Sequence, residues 1–184
     1  MGDHARQHPF IVDPSTYLAG CTCGKEHPTP QVTLYSGLDA CQVMAEDCRA
    51  VYGNRTVLLI SDPETDLVAG KSLRDELKKS QVSLEHYFLD SNPSATESLI
   101  EKIQVASKDK ALIISVGSGT INDLGKFAAD RNGMDFWSMP TAPSMNGYTS
   151  SIAAIKVKGV KRTLPAAPPS RIYSIPQVIQ QAPL

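Results

Sequence analysis

The residues that most restrict the fold of this chain are Ala111 to Val116, ALIISV, which run directly into Gly117-Ser118-Gly119 and then into a periodic stretch. Six mostly β-branched and apolar residues are too few for a helix, and their lack of polar alternation predicts a strand covered on both faces. Gly117 and Gly119 carry no Cβ, so the turn is free to take positive φ and to let a ligand approach its amides. Ile121, Leu124 and Ala128 then predict a helix with one apolar face, with Asn122, Asp123 and Lys126 pointing elsewhere. The first N–H groups of such a helix have no partner within it and sit at the positive end of the macrodipole, so a strand-turn-helix of this kind suits an anion, above all a phosphate. Two generic phosphate-loop patterns do not apply. GxGxxG would need glycine where Asn122 stands, and GxxxxGK[ST] fails because Phe127 follows Lys126. On spacing alone, the glycines also fit a tight strand-to-helix turn that binds nothing.

Upstream, apolar runs alternate with helical periodicity. Gln31 to Tyr35 predicts a short strand, and Ser36 is placed to cap a helix through Val51 in which Leu38, Cys41, Met44, Ala45 and Cys48 recur. Val57 to Ser61 predicts a buried strand that stops at Asp62-Pro63, with a further helix from about Thr65 that turns Ala69, Leu73 and Leu77 inward. Asp62 therefore sits at the carboxyl end of a strand, where open α/β sheets bind ligands, and it can either accept from ribose hydroxyls or cap the next helix. Val82 to Phe88 alternates as an edge strand does, with Val82, Leu84, His86 and Phe88 on one side, which makes His86 a packed residue rather than a ligand. Ser94 or Thr96 starts a helix containing Leu99, Ile100, Ile103 and Ala106. Such strand-helix alternation predicts a mostly parallel, Rossmann-like sheet with helices on both faces and right-handed crossovers.

Beyond the central helix, Phe136 to Met139 predicts one more strand, and Thr141, Ser144, Thr149 and Ser150 supply hydroxyls in a loop of small residues that suits a ligand better than a core. Ile152 to Arg162 reads as a two-stranded ribbon turning near Gly159. Its cations Lys156, Lys158, Lys161 and Arg162 read as a solvated face, with contact to a substrate phosphate as the other option. The proline-rich tail holds at most one short strand, around Ile172 to Ile175. Residues 1–30 show little regular pattern, and 31–184 read as one domain. Cys21, Cys23 and His27 are poorly spaced for zinc, and no second Cys/His pair lies near them.

A formal net charge of −1 without any long basic block argues against nucleic acid as a partner, and no apolar run is long enough for membrane insertion. With no apolar leader in Met1 to Gln7 and four cysteines in 184 residues, two of them on an apolar helix face, the chain reads as cytoplasmic.

Three segments together, SVGSGTINDLGKFAAD, PTAPSMNGYTSS and GVKRTLPAAPPSRI, resemble sn-glycerol-1-phosphate dehydrogenases, in the superfamily of iron-containing alcohol dehydrogenases, glycerol dehydrogenases and dehydroquinate synthases. The resemblance runs from about Cys21 to Leu184 and includes CTCGKEH and SDPET. It implies that the chain is the nucleotide-binding half of an NAD- or NADP-dependent oxidoreductase. Asp62 would contact the adenosine ribose; Gly119, Thr120, Ile121, Asn122 and Asp123 would line the dinucleotide, with Gly117 and Ser118 shaping the turn. Thr141, Ala142, Pro143 and Ser144 would flank the ribose and nicotinamide, Ser150 would approach the coenzyme, and Asn146 would meet the substrate where the family usually has an aspartate.

The family's divalent metal (Zn, Ni or Fe) is held in a helical C-terminal domain whose ligands do not occur in this sequence. The resemblance therefore implies no catalytic residue and no metal ligand here, and it points to a C-terminal-domain partner chain or a homo-oligomer. In the complete enzyme, hydride would pass between nicotinamide and dihydroxyacetone phosphate, a phosphorylated polyol precursor, to give glycerol 1-phosphate. A non-catalytic nucleotide-binding module and a dehydroquinate synthase-like lyase are the alternatives.

Overall fold

In the computed structural model, residues 10–11, 22–24, 32–143 and 146–183 are described. The fold is built on a seven-stranded sheet in the order β1-β2-β9-β6-β5-β3-β4, made of Phe10–Ile11 (β1), Thr33–Ser36 (β2), Arg171–Ser174 (β9), Asp135–Pro140 (β6), Leu112–Gly117 (β5), Val57–Ser61 (β3) and Leu84–Phe88 (β4). All neighbours pair in parallel except β1, which runs antiparallel to β2. β1 thus brings a two-residue strand out of a segment whose sequence shows no regular pattern. No helix among the described residues is long and apolar enough to cross a membrane.

Period-two alternation divides the core between the two faces of the sheet. Val57, Leu59, Leu112, Ile114 and Trp137 face α1 (Ala40–Tyr52) and α3 (Lys71–Lys79), through Met44, Cys48, Leu73 and Leu77. Leu58, Ile60, Ile113 and Phe136 face α4 (Glu97–Ser107) and α5 (Gly119–Asn132), through Ile100, Ile103, Leu124 and Ala128. β7 (Ile152–Val157) and β8 (Val160–Pro165) form the expected antiparallel ribbon, with Ala153 and Ile155 in that second core. The chain closes on a short α6 (Pro176–Gln180).

Several local expectations shift. Ser36 ends β2 instead of capping a helix, and α1 begins four residues later. α2 (Pro63–Thr65) runs into a π-helical turn at Asp66–Gly70 before α3. Thr96, not Ser94, caps α4 by accepting from the Leu99 N–H. Phe88 is 54% exposed, at the end of β4 on the edge of the sheet. The largest departure is α5. Every residue from Ile121 to Ala129 is buried, Asn122, Asp123 and Lys126 included, because the sheet covers one side of the helix and the ribbon and its approach loop cover the other.

Candidate functional site

β3 leads to β4 on one side, whereas β5 returns to the other side of β3 and leads on to β6. The direction in which successive strands are added to the sheet reverses between β3 and β5, and the carboxyl ends of these two parallel strands are where open α/β sheets form a crevice. Both ends carry the residues singled out from sequence: Asp62 after β3, and Gly117-Ser118-Gly119 after β5.

At the second of these ends α5 starts without a side-chain cap. Its first helical bond runs from Asn122 N–H to Ser118 O, so the N–H groups of Gly119, Thr120 and Ile121 precede the ladder. They adjoin a cleft of about 600 Å³ walled by Ser118, Gly119, Thr120 and Asp123 on one side, by Gly147, Ser150, Ile152, Ala154, Lys156, Lys161 and Thr163 on another, and by Pro93, Ser94 and Ala95 on a third. Gly117 and Gly119 achieve the turn without positive φ. Gly117 is required for contact instead: a Cβ there would stand 2.7 Å from Cβ and Cδ1 of Ile121. Asn122 is fully buried; its Oδ1 accepts from Ser138 Oγ at 2.9 Å, and its Nδ2 has no partner.

The far wall is pinned by a buried lysine. Lys126 Nζ donates to Gly147 O at 2.8 Å and to Ser150 O at 3.3 Å, and lies 3.6 Å from Asp123 Oδ1. With Ser150 Oγ at 3.5 Å as a fourth neighbour, enough acceptors surround the nitrogen to occupy the three donors of an ammonium. Asp123 Oδ2 accepts the Ala154 N–H at 3.0 Å, which fastens α5 to the ribbon. Burial holds the Lys126 amine below the usual lysine range and pushes the Asp123 carboxyl above the usual carboxylate range, against the Ala154 N–H and Lys126, which act to lower it. Tyr148, in the 3-10 turn Asn146–Tyr148, donates to Ala142 O at 2.9 Å and lies 3.4 Å from Gly117 O, tying the loop after β6 to the turn after β5.

Asp62 caps α2. Its Oδ1 accepts from the Thr65 N–H and hydroxyl, both at 2.8 Å, and its own N–H donates to Thr65 Oγ1, a reciprocal capping box. Beside it Arg74 pairs with Asp66 at 2.6 Å and donates to His86 Nδ1 at 2.8 Å. A guanidinium has no acceptor, so Nδ1 must accept, the ring proton sits on Nε2, and Nε2 donates to Ser61 Oγ at 2.8 Å. Burial first, then the Arg74 charge, hold His86 below its ordinary value of 6.5. A depressed histidine stabilises the fold above its unfolded pKa, and that contribution is lost as pH falls through the folded value. Acidification from pH about 7.5 to about 5 should therefore lower the urea midpoint of the native chain more than that of His86→Gln; equal slopes would show that the imidazole is not the group responsible.

A family model described as iron-containing alcohol dehydrogenase matches residues 37–183. The chain belongs to the iron-containing alcohol dehydrogenase family. Glycerol-1-phosphate dehydrogenase [NAD(P)+] of Geobacillus thermodenitrificans is 33% identical over 134 residues, 70% of this chain and 33% of that protein. The Bacillus subtilis (strain 168) protein of the same name is 32% identical over 135 residues, 71% of this chain and 34% of its own length. The chain thus spans about a third of these curated relatives. Among solved structures, glycerol dehydrogenase from Schizosaccharomyces pombe superposes with a TM-score of 0.72 at 20% identity, over 87% of this chain and 41% of that one. An iron-containing alcohol dehydrogenase from Thermotoga maritima gives 0.69 at 13% identity, over 85% and 48%. At these identities the structural matches speak for the fold alone.

Within this iron-containing alcohol dehydrogenase fold, the cleft gathers Ser118, Gly119, Thr120, Asp123 and Ser150. Gly117 and Ile121 lie beneath it, packed on each other, and Asn122 is buried in the same first turn. Asp62 stands at the neighbouring strand end and does not line the cleft. Thr141 is buried, with its N–H on Gly117 O at 3.2 Å, while Ala142 is half-buried and Pro143 exposed; none of the three lines the cleft. Ser144 lies outside the described residues, as do Cys21 and His27, and Asn146 is described only as the first residue of the 3-10 turn. Among the described residues no three His, Cys, Asp or Glu side chains gather as a metal group. Lys126 and Tyr148 are the residues holding the candidate site together that the sequence reading missed. The signal for Lys126 was its i,i+3 spacing from Asp123, and nothing in the sequence marked Tyr148.

Proposed function

We propose that residues 31–184 form the NAD(P)-binding domain of a glycerol-1-phosphate dehydrogenase-like oxidoreductase. The observation that carries this reading is the uncapped start of α5, whose free N–H groups adjoin a cleft at the strand-order switch. The orphaned Nδ2 of Asn122 in the same turn and the hydroxyls of Ser118, Thr120 and Ser150 fit a polar, anionic ligand such as a dinucleotide diphosphate. The names of the curated relatives favour NAD(P) as that ligand.

In this reading the amides of Gly119 and Thr120 hold the diphosphate, and Ser150, fixed by Lys126, meets the nicotinamide ribose. Thr141, Ala142, Pro143 and Ser144 belong to the loop that flanks it, and Asn146 meets the polyol. Asp62, whose cap uses Oδ1, presents its other oxygen to the adenosine ribose. The nicotinamide, when bound, supplies the hydride for dihydroxyacetone phosphate. This chain binds and orients. The described residues do not supply ligands for a divalent ion, so in the complete enzyme a partner domain or chain provides them.

Titration with NADH and NADPH, followed by coenzyme fluorescence, should give saturable binding with at least one of them; no response to either would overturn the reading. Gly119→Val should weaken that binding by at least about tenfold, since a branched Cβ would stand where the diphosphate approaches. Unchanged affinity would remove the α5 terminus from the site.

A further inference from the structure

The ribbon's cations do not share one solvated face. The two-residue turn at Lys158-Gly159, with φ of 49° and 81°, sets the register so that Lys156 and Lys161 stand directly opposite each other across β7 and β8. Alternation puts both on the cleft face with Ala154 and Thr163. Arg162 falls on the reverse face, in a groove it shares with Glu97 and Glu101, and the Lys158 N–H donates to Glu97 Oε2 at 3.0 Å.

Like charges directly opposite on a two-stranded ribbon repel each other. Their neighbours relieve this only in part: Asp123 faces the Lys161 charge, and Lys156 borders a surface recess with Glu97 and Glu101. Among the described residues neither Lys156 nor Lys161 forms an ion pair, and the side chain of Lys156 makes one hydrogen bond, Nζ to Ser94 Oγ at 3.3 Å. The carboxylate in the cleft wall, Asp123, is committed to Lys126 and to the Ala154 N–H. Across the cleft lies the α5 terminus, with Ser118 and Thr120 and a positive dipole end of its own. Two ammonium groups without an ion pair, a helix N-terminus and hydroxyls therefore converge on one space, and the carboxylate that walls it, Asp123, is shared between the Lys161 charge and the contact with Lys126.

We infer that Lys156 and Lys161 form a binding site for a phosphate group in this cleft. The inference rests on the proposed function only in taking the cleft as a ligand site. The same chemistry has two sources there: the diphosphate of the coenzyme, or the phosphomonoester of a phosphorylated polyol. The two ammonium groups reach from the ribbon side, while the amides of α5 reach from the helix side.

The test uses the full chain, inorganic pyrophosphate and glycerol 1-phosphate, each followed by phosphorus NMR line broadening, and NADH followed by fluorescence. Both lysines are exposed, so Lys156→Ala/Lys161→Ala should fold, with Lys158→Ala as the charge control. The double variant should bind at least one phosphate probe roughly tenfold more weakly, as expected for lost charge-assisted bonds, with Lys158→Ala close to native. Joint weakening of pyrophosphate and NADH assigns the pair to the coenzyme. Weakening of glycerol 1-phosphate alone, measured on the NADH-saturated chain, assigns it to the substrate. A native chain that binds pyrophosphate through these lysines but ignores NADH and NADPH keeps the phosphate site and defeats the dehydrogenase reading. A double variant indistinguishable from native with all three probes, or a native chain that binds neither pyrophosphate nor glycerol 1-phosphate, overturns the inference.

Discussion

Lys126→Met should unfold about 3–5 kcal/mol more readily than the native chain, the scale for breaking a buried charged pair from one side. Methionine fills most of the same space but donates nothing. Ser150 O loses its donor, Gly147 O keeps only the N–H and hydroxyl of Ser150, and the carboxylate of Asp123 keeps the Ala154 N–H as its hydrogen bond. A domain of this size is typically stable by about 5–15 kcal/mol, so the variant should sit near the edge of folding at room temperature. The emission of Trp137, the only tryptophan, reports the urea midpoint. Asp123→Asn in the same chain removes the stranded charge and should restore part of the loss, a coupling of about 0.5–3 kcal/mol. Additive losses would show that the two residues act separately. Because Gly147 and Ser150 wall the cleft, the single variant, while folded, should also bind NADH less tightly.

This pair also marks how far the sequence could be read. The β5-turn-α5 unit was legible because a six-residue apolar run flanked by glycine has few folded solutions, and the parallel architecture followed from strand-helix alternation. The environment of α5 was not legible. A helix carrying Asn122, Asp123 and Lys126 reads as half-solvated when periodicity is the guide, yet distant segments supply partners that let all three be buried. Gly117 was legible as a glycine but not for the right reason, since the need is for space beside Ile121 and not for positive φ. Asp62 was readable as a cap or a ligand, and the capping box with Thr65 now accounts for Oδ1. The ribbon's cations were within reach. A two-residue turn at Lys158-Gly159 fixes which lysines oppose each other, and alternation then separates Arg162 from Lys161.

Trp137→Ala should lower stability by about 3–5 kcal/mol while leaving NADH affinity nearly unchanged in the fraction that remains folded. The indole is fully buried on β6 in the core facing α1 and α3. Tyr52 and Tyr173 lie with ring centroids 5.6 Å from it, and the Arg171 guanidinium stands 4.9 Å over it. Its Nε1 donates to Asp135 Oδ2 at 3.2 Å, and Asp135 also receives the hydroxyls of Tyr52 and Ser170. Truncation would open a large cavity that the paired strands β5 and β9 on either side cannot close without losing their hydrogen bonds. Trp137→Phe keeps a ring in the stack and loses chiefly the indole bond, so its cost should be nearer 1 kcal/mol. The cleft, in contrast, is built on α5, its approach loop and the ribbon, which pack on the opposite face of the sheet. Circular dichroism serves for the unfolding of both variants, and coenzyme emission reads binding without interference from the indole. If Trp137→Phe weakened NADH binding as much as Lys126→Met does, the two faces would not be independent, and the ligand site would have to include the core beneath β6.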